Sequence, residues 1–394
     1  MVKKATLLIV LLSLVVLVST VILKSNNGPS STIYTESAVD EGKKKIFDQL
    51  LQSCWLNNML SDSCVLDQLE TTLKITGIPA AVKSTVEFRN ANLGETDYSC
   101  HQIMHKIGRI STSYYKDVPS ALKSGAQDCQ LGYQHGVIEQ SIDNAGTPAL
   151  AFKVCDYVTD QTVYPMSMLA ECRHAVGHGI SRILDFDYVK TFKACEETTG
   201  DPADIFPCIS GAMMQWSNEY DLYIREKKDP GTRLALAPYD KQWEICLRFT
   251  EPSTILGCSN FVGELVPRTV KDFKEFGSWC KDVLKYTTGC LEGVGRTIGG
   301  PIYEENNPVA IYYSPSKIKS LCDAILLTSK DDPHNCYVSA ASSRANFRTD
   351  KSFVQDLCKV DSRLDCARLE SGWNSQITPP SSEYAKNMNK PSNK

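Results

Sequence analysis

Two kinds of segment alternate along the chain from residue 41 to residue 375. Amphipathic segments such as "LAFKVC", "KTFKAC" and "IKSLC" end at a cysteine, and segments rich in small residues such as "CRHAVGHG" and "CLEGVGRT" begin at the next one. An amphipathic segment of this kind indicates a helix that buries one face. Because the sequence has no run of alternating β-branched residues with hairpin turns, strands are not expected. The pattern predicts an all-α fold made of helical hairpins.

The hairpins form an irregular repeat, in which one helix ends at a cysteine and a second helix begins at the next. The period varies between roughly 30 and 50 residues, which is typical of helix pairs stacked side by side. We therefore expect either a solenoid-like stack or a compact helical array. Glycines that follow the second cysteine of a unit lower helix propensity. They are explained if the second helices pack so closely that side chains between them must be small, and the alternative is that these glycines mark loops. These glycines are Gly132, Gly177, Gly211, Gly263, Gly293 and Gly295.

The N-terminal segment differs from the rest of the chain. Residues 5–23 carry no charge and follow Lys3 and Lys4, and about 20 such residues cross a bilayer as a helix. Because this stretch is longer than the apolar core of a secretory signal and no small-residue cleavage site follows it, we expect an uncleaved signal anchor rather than a cleaved signal peptide. The lysines then stay in the cytoplasm, and the rest of the chain is exported.

The anchor determines the predicted organisation of the chain. Residues 1–4 form a cytoplasmic stub, residues 5–23 the transmembrane helix, and residues 24–40 a polar tether. Residues 41–375 form one extracytoplasmic helical-repeat domain, and residues 376–394 are expected to be a disordered tail. The membrane is therefore a predicted partner, with the domain at the cell surface or in a periplasm-like space. The formal charge of -4 and the lack of a long basic run argue against nucleic acid as a partner.

Sixteen cysteines behind an export signal predict disulfide bonds. Consecutive pairing gives seven separations of 8–17 residues and one of 29, which alternate with gaps of 22–38 residues. This alternation predicts that each disulfide staples one local unit, and no thiolate is then left for a metal or for catalysis. The expected pairs are Cys54–Cys64, Cys100–Cys129, Cys155–Cys172, Cys195–Cys208, Cys246–Cys258, Cys280–Cys290, Cys322–Cys336 and Cys358–Cys366.

The histidines are concentrated in one part of the chain. Five of the six lie in the segment 97–180, each after a cysteine at the start of a predicted second helix. Residues four apart share one face of a helix. His101 and His105 therefore point the same way, and so do His174 and His178.

His135 has a carboxylate, Glu139, at the same four-residue spacing. His135 and His178 both lie six residues after a repeat cysteine, so stacked repeats would direct both rings into one space. Three such pairs predict a metal site with five imidazoles and one carboxylate as ligands. His334 has no partner of this kind and is expected in a turn. The alternative is that the histidines only share helix faces or are hydrogen-bonded in the core.

Imidazole and carboxylate ligands suit zinc, copper or iron, and six of them suffice for one or two ions with open positions. Glu139 and Glu171 are the candidate bases beside the metal. Glu171 and Asp97 are also candidates for carboxylates that orient the histidine rings, with helix capping or first-turn charge as the alternative. The segment "HAVGH" lacks the glutamate that follows the first histidine in zinc metalloproteases, so that site is not expected.

The sequence thus predicts a membrane-anchored, extracytoplasmic metalloprotein with a polyhistidine site. An open position at the metal would make it a hydrolase or an oxidoreductase that acts on a small molecule. Two alternatives remain open. A helical-repeat scaffold would bind protein partners and use the histidines only structurally. A metal storage or delivery protein would add Met213 and Met214 as soft ligands for copper(I).

Overall fold

The computed structural model describes residues 39–56, 62–92, 97–126, 128–160, 167–225, 246–269, 287–300, 312–326, 334–347, 352–360, 364–367 and 369–370. These residues form helices and short connections, with no strand among them, and this confirms the predicted all-α class. In the part of the chain so described, no helix has both the length and the apolar character needed to cross a bilayer. The predicted anchor (5–23), most of the tether and the tail lie outside the described residues.

The helices are numbered in chain order. They are α1 (Glu41–Leu56), α2 (Asp62–Thr76), α3 (Ile78–Ala91), α4 (Asp97–Ser111), α5 (Val118–Lys123), α6 (Gly132–Ala145), α7 (Ser167–Ile183), α8 (Tyr188–Thr199), α9 (Pro202–Arg225), α10 (Pro252–Thr269), α11 (Thr287–Gly299), α12 (Pro315–Leu326), α13 (His334–Phe347) and α14 (Ser352–Val360). Two 3-10 helices, Cys129–Leu131 and Pro148–Val158, precede α6 and α7. His334, which we expected in a turn, is the first residue of α13.

Local sequence signals explain where several helices begin and end. The side chain of Asp187 accepts a hydrogen bond from the backbone N–H of Lys190 and caps the start of α8, as short polar residues do at this position. Gly200 ends α8 with a φ of 66°, and Gly146 ends α6 with a φ of 63°. Glycine adopts this left-handed conformation without a steric penalty, so both helices stop where the sequence places a glycine.

The second helices of the hairpins form a continuous series in which each packs against the next. The series runs α4, α6, α7, α9, α10, α11, α13. The first helices pack beside it, since α8 contacts both α7 and α9, and α12 contacts both α11 and α13. One hydrophobic core extends through the whole arrangement, from Phe47 in α1 to Leu357 in α14. The series therefore places α4, α6 and α7, which carry the histidines, side by side.

Glycines bring neighbouring helices of this series into backbone contact. A Cβ atom on Gly136 would lie 1.9 Å from the carbonyl oxygen of His105, and one on Gly211 would lie 1.9 Å from that of His174. No side chain fits at such distances, so glycine is required there. A Cβ atom on any of the six glycines for which we predicted close packing would likewise clash with the backbone of a neighbouring helix. The prediction of close packing is therefore confirmed.

Seven of the eight predicted disulfides are present. The eighth involves Cys280, which lies outside the described residues. Two details differ from the predicted hairpin. The Cys100–Cys129 bond joins the first turn of α4 to the 3-10 helix that leads into α6, so it does not close a single hairpin. The segment that leads to Cys155 is a 3-10 helix rather than an α-helix.

Candidate metal centre

Three adjacent helices each contribute polar side chains at four-residue intervals, so that the side chains of one helix are stacked one turn apart. Helix α4 contributes His101, His105 and Arg109, α6 contributes His135, Glu139 and Asp143, and α7 contributes His174, His178 and Arg182. Across the helices these residues form three layers. The first layer is His101, His135 and His174, the second is His105, Glu139 and His178, and the third is Arg109, Asp143 and Arg182.

In the first layer His135 lies between the two other rings. The ring centroids of His101 and His135 are 5.6 Å apart, and those of His135 and His174 are 5.8 Å apart. One potential ligand nitrogen from each of His101, His105 and His135 lies within 4.8 Å of the others. These three residues are called the histidine triad below. Two nitrogens bound to one zinc ion lie about 3.0–3.4 Å apart, so an ion would draw the rings inward by side-chain rotation.

In the second layer one carboxylate joins the two outer histidines. Oε1 of Glu139 lies 3.1 Å from Nε2 of His105 and 3.3 Å from Nδ1 of His178. Its other oxygen, Oε2, accepts a hydrogen bond of 3.0 Å from Arg109. The Glu139 side chain is only 2% exposed. All its contacts are therefore made inside the protein, and Oε1 lies close to both rings without a hydrogen bond of good geometry.

The third layer closes the site with charges that sequence reasoning did not identify. Arg109 donates to Asp143 at 2.6 Å and to Gln140 at 3.0 Å, and Arg182 lies 3.3 Å from Asp143. Asp143 thus ties α4 and α7 to α6 one turn beyond the second layer. The signal was present in the sequence, because these three residues continue the four-residue spacing of the histidines.

Oxygen atoms contact one ring nitrogen on several of the histidines. Nδ1 of His101 lies 3.0 Å from the carbonyl oxygen of Cys129, and Nδ1 of His178 lies 2.9 Å from Oε1 of Gln215. Both oxygens accept hydrogen bonds, so each Nδ1 carries the proton and each Nε2 keeps its lone pair. Metal-binding histidines in proteins are oriented in this way.

Burial disfavours the protonated form of three imidazoles, those of His101, His174 and His178. It lowers the pKa of His101 to about 3 and that of His178 to about 4, in the latter case against the opposing effect of Glu139. Burial and the neighbouring rings also hold the pKa of His174 well below its usual range. Burial alone would raise the pKa of Glu139, but two imidazoles and Arg109 outweigh it and keep this pKa below its usual range. Neutral imidazole and ionised carboxylate are the forms that bind metals.

The remaining predicted residues have different surroundings. Oε2 of Glu171 lies 3.2 Å from Nε2 of His135, and the side chain is 30% exposed. Because α7 begins four residues earlier, at Ser167, Glu171 is not the helix cap that we considered as its alternative role. Asp97 is the first residue of α4, and its side chain lies outside the described residues. Met213 is fully buried in the hydrophobic core, which does not favour copper(I) binding there.

No family model matches this chain, and no curated protein or solved structure is significantly similar to it. Its class is therefore defined by its own fold and site. The described residues form an all-helical, disulfide-stapled protein in which three histidines could hold a metal ion. The many disulfides indicate folding in an oxidising environment outside the cytoplasm.

Proposed function

We propose that this protein is an extracytoplasmic metalloprotein whose histidine triad binds a divalent or redox-active metal ion. The observation that carries the proposal is the convergence of ligand nitrogens from His101, His105 and His135 within 4.8 Å. The surroundings support it. Nδ1 of His101 contacts a backbone carbonyl oxygen, and Nε2 of His105 and of His135 each lies beside a carboxylate oxygen, so one nitrogen of each triad ring is left for an ion.

The two predicted bases then have different roles. Glu139 is buried between His105 and His178 and is held by Arg109, so we assign it the role of orienting the two rings rather than of moving protons. Glu171 contacts a triad histidine and is partly exposed, so it is the better candidate to exchange a proton with solvent. Zinc bound at the triad would lower the pKa of a coordinated water toward about 7, whereas copper or iron would supply redox chemistry.

The complete proposal is a membrane-anchored metalloenzyme, a hydrolase or an oxidoreductase that acts on a small molecule. The membrane anchor at residues 5–23 and the small-molecule substrate both stay predictions from the sequence. A scaffold that binds protein partners is the alternative. It predicts a folded protein that retains no metal, or a metal that only locks the fold.

Metal analysis of the full chain tests the proposal. The protein is produced without a histidine tag in an oxidising compartment, and its metal content per chain is measured after gel filtration. We expect bound zinc, copper or iron, and we expect a His101→Ala/His105→Ala variant to lose the triad ion. His334→Ala, which changes a histidine outside α4, α6 and α7, is the control and should keep it. A wild-type chain free of metal, or a double variant with unchanged metal content, refutes the proposal.

A further inference from the structure

One stripe of helix α7 carries a second set of metal-ligand side chains. Glu171, His174 and His178 lie on one face of the helix, since they are three and four residues apart. None of them belongs to the triad. Two imidazoles and one carboxylate, with open positions remaining, are a combination that binds iron and related metals in many enzymes.

The two imidazoles of this stripe have the spacing of ligands that share an ion. Nε2 of His174 lies 3.0 Å from Nε2 of His178 in a hydrogen bond, and two nitrogens on one ion lie about 3.0–3.4 Å apart. The other nitrogen of His178, Nδ1, faces oxygens of both Gln215 and Glu139 and carries the proton. Nε2 of His178 therefore accepts the hydrogen bond from Nε2–H of His174, and an ion shared by the two rings would replace that proton, which His174 would then carry on Nδ1.

Glu171 lies at the same end of the site as the first layer. Its Oε2 contacts His135, and the ring of His135 is in turn 5.8 Å from the ring of His174. A carboxylate that contacts one centre through one oxygen has a second oxygen with which to bind a neighbouring ion. The carboxylate of Glu171 and the two histidines do not all lie within 4.8 Å of one another in the described residues, so binding of a shared ion requires this partly exposed side chain to rotate toward His174.

We infer that Glu171, His174 and His178 bind a second metal ion beside the ion of the histidine triad. This inference extends the proposed function and rests on it for the neighbouring ion. The buried carboxylate of Glu139, which contacts a histidine of each set, would orient ligands of both ions. Two ions at neighbouring positions can stabilise an attacking and a leaving oxygen at once, so the pair favours substrates that offer oxygen atoms to both metals.

Zinc titration of the metal-free full chain tests the inference. We expect wild-type protein to bind two Zn²⁺ ions and His174→Ala/His178→Ala to bind one. Glu171→Gln keeps an oxygen that can accept the hydrogen bond of His135, so its triad ion should lose less affinity than its second ion, which should bind at least tenfold more weakly. This substitution avoids the buried histidines, so it remains informative if the double variant folds poorly. Glu197→Gln, which changes an exposed glutamate on α8, is the matched control and should behave as the wild type does.

The outcomes separate this inference from the proposed function. A wild-type chain that binds a single ion, a His174→Ala/His178→Ala variant that keeps two, or unchanged affinity in Glu171→Gln overturns the second site. A His101→Ala/His105→Ala variant that keeps two ions instead overturns the triad. Far-UV circular dichroism and the urea midpoint of each variant show whether it is folded.

Discussion

The contact between α4 and α6 at Gly136 offers a direct test of how the helices build the triad. In Gly136→Ala the new Cβ would lie 1.9 Å from the carbonyl oxygen of His105, whereas ordinary contact begins at 3.4 Å. The helices must therefore separate by about 1.5 Å, because backbone atoms on both sides prevent a smaller adjustment. His135 on α6 would move away from His101 and His105 on α4 by a similar distance.

Two free-energy terms decide the effect of Gly136→Ala on stability. Overpacking of this kind costs about 1–3 kcal/mol, and alanine recovers about 1 kcal/mol of helix propensity relative to glycine. We expect a net loss of about 0–2 kcal/mol in the free energy of unfolding, measured by urea denaturation with the disulfides intact. The triad nitrogens already have to move inward to share one ion, and a further separation of α4 and α6 enlarges that movement, so the triad should lose at least tenfold in metal affinity, or about 1.4 kcal/mol.

Gly211→Ala is a matched control for this experiment. Its Cβ would meet the carbonyl oxygen of His174, also at 1.9 Å, so it separates α7 from α9 and leaves α4 and α6 together. We expect a similar loss of stability but unchanged affinity for the ion that His101→Ala/His105→Ala loses. If Gly136→Ala bound this ion as tightly as the wild type, the ion would not be held jointly by α4 and α6.

Three further predictions concern the surroundings of the site. Arg109→Lys should weaken metal binding about tenfold in a zinc titration, because a single ammonium cannot hold Glu139, Gln140 and Asp143 as the guanidinium does. An unchanged metal affinity would show that Glu139 does not need the support of Arg109. Cys155→Ala/Cys172→Ala should lower the free energy of unfolding by about 3 kcal/mol in urea, and a loss near zero would contradict the role of this bond as a staple at the start of α7. The metal-free protein should be most stable above pH 6.5 and should lose stability as the pH falls toward 4. The pKa values of His101 (about 3) and His178 (about 4) lie below their unfolded value of 6.5, so the unfolded chain binds more protons than the folded protein in this pH range. Urea midpoints that do not change between pH 6.5 and 4 would refute the neutral, buried state of these two rings.

Much of the fold was predictable because its determinants are local. The alternation of amphipathic segments and cysteines predicted helices, and short separations predicted staples such as Cys155–Cys172, since a disulfide inside one hairpin depends only on that hairpin. Gly211 and its counterparts predicted close packing because only glycine allows two helix backbones to touch. The Cys100–Cys129 bond shows the limit of this local reasoning. Consecutive pairing predicted the bond correctly, but it joins α4 to the 3-10 helix before α6 instead of closing one hairpin.

The sequence by itself determined which histidines share a helix face, because the period of the α-helix places residues four apart on one side. It did not determine that α4, α6 and α7 are neighbours, that His135 lies between the rings of His101 and His174, or that Glu139 contacts two histidines from different helices. Those contacts depend on the crossing of helices at glycines far apart in the chain, and helical periodicity contains no information about the distance between helices. Only tertiary packing could therefore bring the separate pairs into one cluster and bury it, and this burial lowers the pKa values of His101, His174 and His178.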